Sequence, residues 1–148
     1  RGKEFRFLNT HLEDDPYPTE QEAQAEELLD GPADVDTPVI LVGDLNSDAA
    51  GDGTDSYDNL VDAGYEDAWW DAADPLDPGL TWRHDEDLLN EDPDLTEWID
   101  FVLYWGTFAV KDVYVVGDED GDQTSSGLWP SDHAGVVATL WIPGKFKR

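Results

Sequence analysis

A run of six residues, 38–43, constrains the fold of this chain most strongly. It reads Pro-Val-Ile-Leu-Val-Gly and contains no polar side chain. Such a continuous apolar run is typical of a β-strand buried on both faces, whereas a half-exposed strand alternates polar and apolar residues. A strand of this kind needs other elements packed on each side of it. The run therefore predicts the interior of a layered α/β fold.

The flanking sequence predicts the other elements of that fold. Residues 4–8 alternate polar and apolar, as a strand does, and lead into the Asn-Thr-His sequence at 9–11. Thr19 stands three residues before Glu22, the spacing of a capping box, and predicts the start of a helix that Gly31 ends. The remaining predicted elements are a helix at residues 56–63 and three strands at residues 98–104, 108–116 and 135–141.

Two predicted helices are few for strands that need cover on both faces. The sequence therefore predicts half of a sandwich whose other half is missing from this chain. A start at Arg1 without an initiator Met points to the same expectation. Strands with an uncovered face or an unpaired edge favour contact with a partner, so we expect self-association or association with an N-terminal half of the same domain.

The charge of the chain is strongly acidic. Eight Lys and Arg residues stand against 36 Asp and Glu residues, which gives a formal net charge of −28. The carboxylates are spread between apolar runs rather than gathered in a tail, a pattern that indicates adaptation to molar salt, where the Debye length falls to about 3 Å. The alternative is an acidic protein that binds cations or a basic partner. In dilute buffer this charge repels nucleic acid.

The composition also excludes several kinds of chemistry. The chain has no Cys, so disulfides, thiolate metal sites and cysteine nucleophiles are absent. No apolar run approaches the ~20 residues that a membrane-spanning helix needs, so we expect no membrane span. What remains is hydroxyl, carboxylate, amide and imidazole chemistry in a single domain.

Polar residues follow or interrupt the predicted strands at four places, where α/β proteins commonly collect their sites. Asp100 is the most informative, because an unpaired carboxylate inside an apolar strand costs several kcal/mol. It therefore needs a partner, and the three histidines of the chain are the candidates. A carboxylate bonded to one imidazole nitrogen makes the other nitrogen a useful acid or base. The four clusters are Asn9-Thr10-His11, Asp44-Leu45-Asn46, Asp100 itself and Ser131-Asp132-His133.

Two of these carboxylates are suited to a hard cation. Asp44 and Asp132 offer oxygen ligands of the kind that Mg²⁺ or Mn²⁺ prefers, and Asn46 adds a neutral donor and acceptor. Together with His11 and a carboxylate–histidine pair, they would support metal-assisted attack of water on a phosphoester.

The same four clusters resemble the ordered motifs of the endonuclease/exonuclease/phosphatase superfamily, which includes deoxyribonuclease I, exonuclease III and neutral sphingomyelinases. Each motif is short, but four in the right order across residues 9 to 136 make a specific combination. The quoted motifs are Asn9-Thr10-His11-Leu12, Gly43-Asp44-Leu45-Asn46, Ile99-Asp100-Phe101-Val102-Leu103 and Ser131-Asp132-His133-Ala134-Gly135-Val136.

The resemblance implies a fold and an activity. It implies that residues 1–148 are the C-terminal part of a four-layer α/β/β/α sandwich with mixed, mostly antiparallel sheets. It implies a divalent-metal-dependent phosphoesterase that uses Mg²⁺ or Mn²⁺, with DNA and RNA among the candidate substrates beside small or lipid-linked phosphoesters. The family's upstream Asn and Glu, the latter its principal metal ligand, have no counterpart here.

The resemblance also assigns roles residue by residue. Asp44 would orient or deprotonate the attacking water, and Asn46 would hold the phosphate. His133 would contact the scissile phosphate and pair with Asp100, while His11 would be a second imidazole over the phosphate. The metal would be bound by Asp132 together with Asp44.

Three features have simpler interpretations. The acidic sequence at residues 118–122 lacks the Gly and Glu spacing of a calcium loop and indicates a solvated turn. Trp69, Trp70 and Trp82 show no periodic display, which indicates packing rather than carbohydrate stacking. His84 matches no motif and is interpreted as a loop residue. The competing hypothesis for the whole chain is a non-catalytic acidic module that binds cations or partners, which leaves Asp100 unexplained.

Overall fold

The computed structural model describes residues 3–51, 53–72, 79–91 and 93–143. They form a mixed α/β fold with two β-sheets and short helices. The strands are β1 (Arg6–His11), β2 (Val39–Asp44), β3 (Glu66–Asp67), β4 (Asp100–Trp105), β5 (Ala109–Val116) and β6 (Gly135–Trp141). The helices are α1 (Pro18–Asp30), α2 (Ser56–Asp62) and α3 (Ala68–Ala72).

The larger sheet has four strands in the order β1-β2-β4-β3. β1 and β2 run parallel, whereas β4 is antiparallel to both of its neighbours, so the sheet is mixed. The smaller sheet is the antiparallel pair β5 and β6. This arrangement brings the carboxyl ends of β1 and β2 and the amino end of β4 to one edge of the larger sheet.

The larger sheet is covered on both faces, as the apolar run of β2 requires. Val39 and Leu41 are buried on one face, in a cluster that includes Ala25 of α1 and Leu60 of α2. The alternate residues of β2 and β4 form a second cluster with side chains of the smaller sheet. That second cluster contains Val102, Tyr104, Ile40, Val42, Val110, Val136, Ala138 and Leu140.

The structure corrects the predicted elements at several boundaries. β1 continues to His11, so the Asn-Thr-His sequence is the last part of the strand rather than a segment after it. The capping box at Thr19 was wrong: the helix begins at Pro18, whose fixed backbone suits the first helical position, and its N-cap Tyr17 makes no side-chain capping bond. β3 and α3 were not predicted, since two residues and five residues are too short to show a period.

The acidic turn at residues 118–122 contains a single 3₁₀ turn, Asp120–Asp122, and its residues are exposed or half-exposed. Asp122 accepts hydrogen bonds from the backbone N–H groups of Gly117 and Glu119, at 2.9 and 3.3 Å. The Asp122 carboxylate therefore joins the end of the turn to its beginning.

Within the described residues, no helix combines the length and the apolar character that crossing a membrane requires.

Candidate functional site

Three polar side chains lie in one row across three adjacent strands. His11 is paired with Asp44 in the β1–β2 register, and Asp44 is paired with Asp100 in the β2–β4 register. Paired residues project to the same face of a sheet, so the row places an imidazole and two carboxylates side by side. His11 Nε2 lies 3.4 Å from Asp44 Oδ2; the histidine side chain is 70% exposed and the aspartate 11%.

His133 reaches this row from the other sheet. It precedes β6 by two residues, and its Nδ1 donates a hydrogen bond of 2.8 Å to Asp100 Oδ2. The sequence argument that Asp100 needs an imidazole partner agrees with this contact, although Asp100 is the first residue of β4 and its side chain is 22% exposed. The bond to Asp100 raises the pKa of His133, partly offset by burial. It also leaves the second ring nitrogen, Nε2, on the side of Asp44.

Asp44 occupies the centre of the row. Burial is the main cause that raises the pKa of its carboxyl above the ordinary value, and the nearby Asp100 adds to the rise. The backbone N–H of Asn46 opposes it by donating to Asp44 Oδ1 at 2.8 Å. His133 Nε2 lies 3.9 Å from Asp44 Oδ2. A carboxylate whose pKa is raised is a better proton acceptor near neutral pH than an exposed one.

Asn46 stands in the loop that follows β2, with a backbone φ of 48°, in the left-handed region that Asn tolerates better than most residues. Its side-chain Nδ2 donates to the carbonyl of Leu12 at 3.0 Å. Its own carbonyl accepts a bond of 2.8 Å from Nε2 of Gln21. These contacts fix the loop after β2 against the loop after β1, so Asn46 and His11 keep their separation.

Asp44, Asp100 and His133 form a group that could hold a metal ion, because each offers one ligand atom within 4.8 Å of the others. Two carboxylates are suitable ligands for a hard divalent cation, and an imidazole nitrogen can also bind such a cation. The sequence placed Asp132 beside Asp44 as a metal ligand. Asp132 is not in this group: its side chain is exposed and accepts a hydrogen bond of 3.2 Å from Ser131 Oγ.

Sequence reasoning missed two positions next to these residues. Gln21 of α1 is 1% exposed and also donates to the carbonyl of Glu13 at 2.6 Å. The available signal was its place four residues before the buried Ala25, on the same helix face. Trp82, assigned to packing, has its ring centroid 6.1 Å from that of His133, and Arg83 lies over the Trp82 ring at 5.3 Å.

The other singled-out residues have structural roles. His84 lies outside regular secondary structure, as the loop interpretation required, but it is buried. Its ring stacks on Trp129 at 4.2 Å between centroids, and its Nδ1 lies 3.1 Å from the side-chain nitrogen Nδ2 of Asn90. Trp69 is buried, whereas Trp70 is 68% exposed and packs on Trp98 at 5.1 Å.

The polar residues gather at the ends of the strands, where the larger sheet meets the smaller one. This placement is typical of α/β proteins whose binding sites lie at strand ends. The chain belongs to the endonuclease/exonuclease/phosphatase family, whose model matches residues 3–133. The four ordered motifs therefore identified the family correctly. Comparison with curated proteins gives no significant match.

Solved structures share this fold at low sequence identity. An endonuclease/exonuclease/phosphatase family protein from Leptotrichia buccalis is 22% identical, with a TM-score of 0.66 over 95% of this chain and 50% of its own. A mannosyl-6-phosphatase from Bacteroides thetaiotaomicron is 23% identical, with a TM-score of 0.65 over 95% of this chain and 52% of its own. TDP2 from D. rerio, complexed with single-strand DNA product, is 20% identical, with a TM-score of 0.68 over 91% and 56%. This chain spans about half the length of these structures.

Proposed function

We propose that this chain carries the catalytic groups of a divalent-metal-dependent phosphoesterase that hydrolyses its substrate by in-line attack of an activated water. The observation that carries the proposal is the convergence of Asp44, Asp100 and His133 within 4.8 Å at the edge of the sheet. Family membership supports a phosphoric ester as the substrate. A structural ion pair would need neither the third group nor the adjoining His11.

The geometry supports a separate role for each side chain. Asp44, at the centre of the row between His11 and Asp100, accepts the proton of the attacking water. Asp100 accepts the Nδ1–H of His133 and so orients Nε2 towards the phosphate, and the imidazole in its protonated form stabilises the developing negative charge. His11 supplies a second imidazole on the solvent side of Asp44. Asn46, fixed by Leu12 and Gln21, contributes its amide to the phosphate oxygens.

The donor set fits a hard divalent cation, Mg²⁺ or Mn²⁺. Asp44 and Asp100 would hold it through oxygen, and Asp132, which lies next to His133 in sequence, is a further candidate ligand. When bound, such an ion polarises the phosphoryl oxygens and stabilises the charge that develops on them. The proton transfer and the positioning remain with the side chains described above.

The acidic charge of the chain favours a small or lipid-linked phosphoester over a polyanion as the substrate, and a cavity lies next to Asn46. It has a volume of about 590 Å³ and is lined by Asp15, Gln21, Glu22, Asp48, Thr54 and Glu97 among others. Carboxylates along a cleft repel a polyanion, and the net charge of −28 acts in the same direction. A nucleic acid is the second candidate, which the fold shared with a DNA-bound TDP2 supports.

We further propose that residues 1–148 are the C-terminal part of a four-layer α/β/β/α sandwich. The length of the matched structures supports this, since the chain covers 50% to 56% of them. β1 also lies at the edge of the four-stranded sheet and exposes 58% of Phe7. An apolar side chain on an edge strand favours a further element packed beside it. An N-terminal half of the same domain would supply that element.

The test is a panel of phosphoesters, including short DNA and RNA, assayed in concentrated KCl with the protein that contains this chain. We expect turnover with Mg²⁺ or Mn²⁺ and none after metal removal with EDTA. Asp44→Asn should abolish turnover, whereas Asp112→Asn, an exposed carboxylate on β5, should not. Metal binding without hydrolysis of any member of the panel would instead support a non-catalytic acidic module.

A further inference from the structure

The hydrogen bond between Asp100 and His133 joins two different sheets. Asp100 begins β4 of the four-stranded sheet, and His133 precedes β6 of the two-stranded sheet. Among the described strands, neither sheet forms a ladder with the other. The distance of 2.8 Å therefore depends on whatever sets the spacing between these two backbone segments.

One short segment, residues 81–84, spans that gap by backbone hydrogen bonds on both sides. Towards β4, the N–H groups of Thr81 and Trp82 donate to the carbonyl of Glu97, at 2.8 and 3.1 Å. Towards β6, Thr81 accepts from the N–H of Ala134 at 2.7 Å. The N–H of His84 donates to the carbonyl of Asp132 at 3.0 Å. The residues on either side of His133 are thus both bonded to this segment.

Thr81 adds a side-chain contact to the Asp100 side of the gap. Its Oγ1 accepts the backbone N–H of Ile99 at 3.3 Å and that of Asp100 at 3.2 Å. The residue has no exposed surface. A hydroxyl oxygen has two acceptor sites, so these two bonds use its full acceptor capacity. Thr81 is therefore bonded directly to Asp100 through its side chain and to the neighbour of His133 through its backbone.

We propose that Thr81 is a positioning residue that sets the Asp100–His133 hydrogen bond. The inference rests on the proposed function for its effect on turnover, but the hydrogen bond itself is measurable without any substrate. Loss of the hydroxyl removes this acceptor from the buried N–H of Ile99 and the partly buried N–H of Asp100, and we expect the start of β4 to move to satisfy them. Displacements near 1 Å at a catalytic group can cost roughly 100-fold in rate.

The experiment compares Thr81→Val, which keeps the shape and removes the acceptor, with Thr81→Ser, which keeps the acceptor. Proton NMR follows the His133 Nδ1–H resonance, whose low-field position reports the bond to Asp100, and kinetics separate kcat from KM. Ser56→Ala is the control, because Ser56 is also fully buried and bonds to Thr54, away from the pair. In Ser56→Ala the His133 Nδ1–H resonance should be unchanged even if the Tm falls.

For Thr81→Val we expect the His133 resonance to move upfield and kcat to fall roughly 10- to 100-fold with KM within about twofold. In Thr81→Ser both the His133 resonance and kcat should stay near those of the parent protein. If Thr81→Val does not fold, Thr81→Cys, with a weaker acceptor, carries the same comparison. A resonance and kcat unchanged while the Tm falls as in Ser56→Ala would overturn the proposal. A shifted resonance in a protein without phosphoesterase activity would support Thr81 as a positioning residue and count against the proposed function alone.

Discussion

A Cβ atom on Gly43 would lie 1.8 Å from the backbone oxygen of Thr10. The two residues are paired across β1 and β2, one position before His11 and Asp44, and Gly43 has a φ of 139°. Both the space and the backbone conformation therefore require glycine at this position. The close approach of the two strands is what brings His11 within reach of Asp44.

Gly43→Ala should therefore destabilise the protein by about 3 kcal/mol or more, because overpacking against backbone and a left-handed φ each cost about 1–3 kcal/mol. Thermal unfolding measures the change. Gly121→Ala is the matched control, since a Cβ there meets nothing within 4 Å, and its Tm should stay near that of the parent. Equal Tm values for the two variants would contradict the clash.

His133→Ala should lower the rate roughly 10²- to 10⁴-fold, the usual scale for an acid–base group. Asp100→Asn should also be severe, because an amide can present the wrong imidazole tautomer. The double variant should be no worse than the worse single one, since the two residues act as a unit. Losses that multiply in the double variant would count against the pair as a functional unit.

Asp67 gives the protein a pH-dependent stability outside the site. Burial raises the pKa of its carboxyl to about 6, although Tyr57 Oη and the N–H of Trp69 donate to it. Below the unfolded value of 3.8 the group is protonated in both states. As the pH rises through the folded value, the native state must hold a buried charge, and stability is lost.

Asp67→Asn should thus gain Tm relative to the parent as the pH rises from 4 to 7, with most of the gain between the unfolded value of 3.8 and the folded value of about 6 and little further change above it. Differential scanning calorimetry across that range measures the difference. The same substitution at the exposed Asp112 is the control and should show a nearly constant difference. A gain at Asp67 that is independent of pH would show that the carboxyl titrates normally.

The dispersed carboxylates predict that folding depends on salt. Counter-ions at molar concentration screen the repulsion of a net charge of −28, so the Tm should climb from dilute buffer to concentrated KCl. Sucrose at matched osmolality separates screening from exclusion effects, because it does not screen charge. A Tm that stays flat or falls with KCl would refute the adaptation to molar salt.

The proposed half-domain predicts that residues 1–148 alone have phosphoesterase activity near background. Addition of a separately expressed N-terminal half, in high salt, should restore turnover, and size-exclusion chromatography should show either that complex or self-association of the isolated chain. A monomeric, metal-loaded and fully active 148-residue chain would contradict the proposal.

Part of the candidate site was predictable because its residues stand at strand ends, which the alternating residues 4–8 and the apolar run 38–43 locate. His11, Asp44 and Asp100 lie at the edge where the motifs placed them. Thr81 was not predictable as part of the site, and the helix position of Gln21 indicates only its burial, because the backbone partners of a buried hydroxyl or amide are set by tertiary structure. Asp132 lies in a bend outside the strands, with an exposed side chain, and the sequence pattern does not show that it stays outside the group of Asp44, Asp100 and His133.

The row of His11, Asp44 and Asp100 has a consequence for how faithfully the sheet must assemble. A shift of β1 by one residue against β2 would place Thr10 or Leu12 beside Asp44 and turn His11 to the opposite face. Such a molecule would keep its strand content and its circular dichroism spectrum, yet under the proposed function it would have no activity. Specific activity per folded molecule therefore reports the fidelity of strand pairing, a quantity that circular dichroism does not detect.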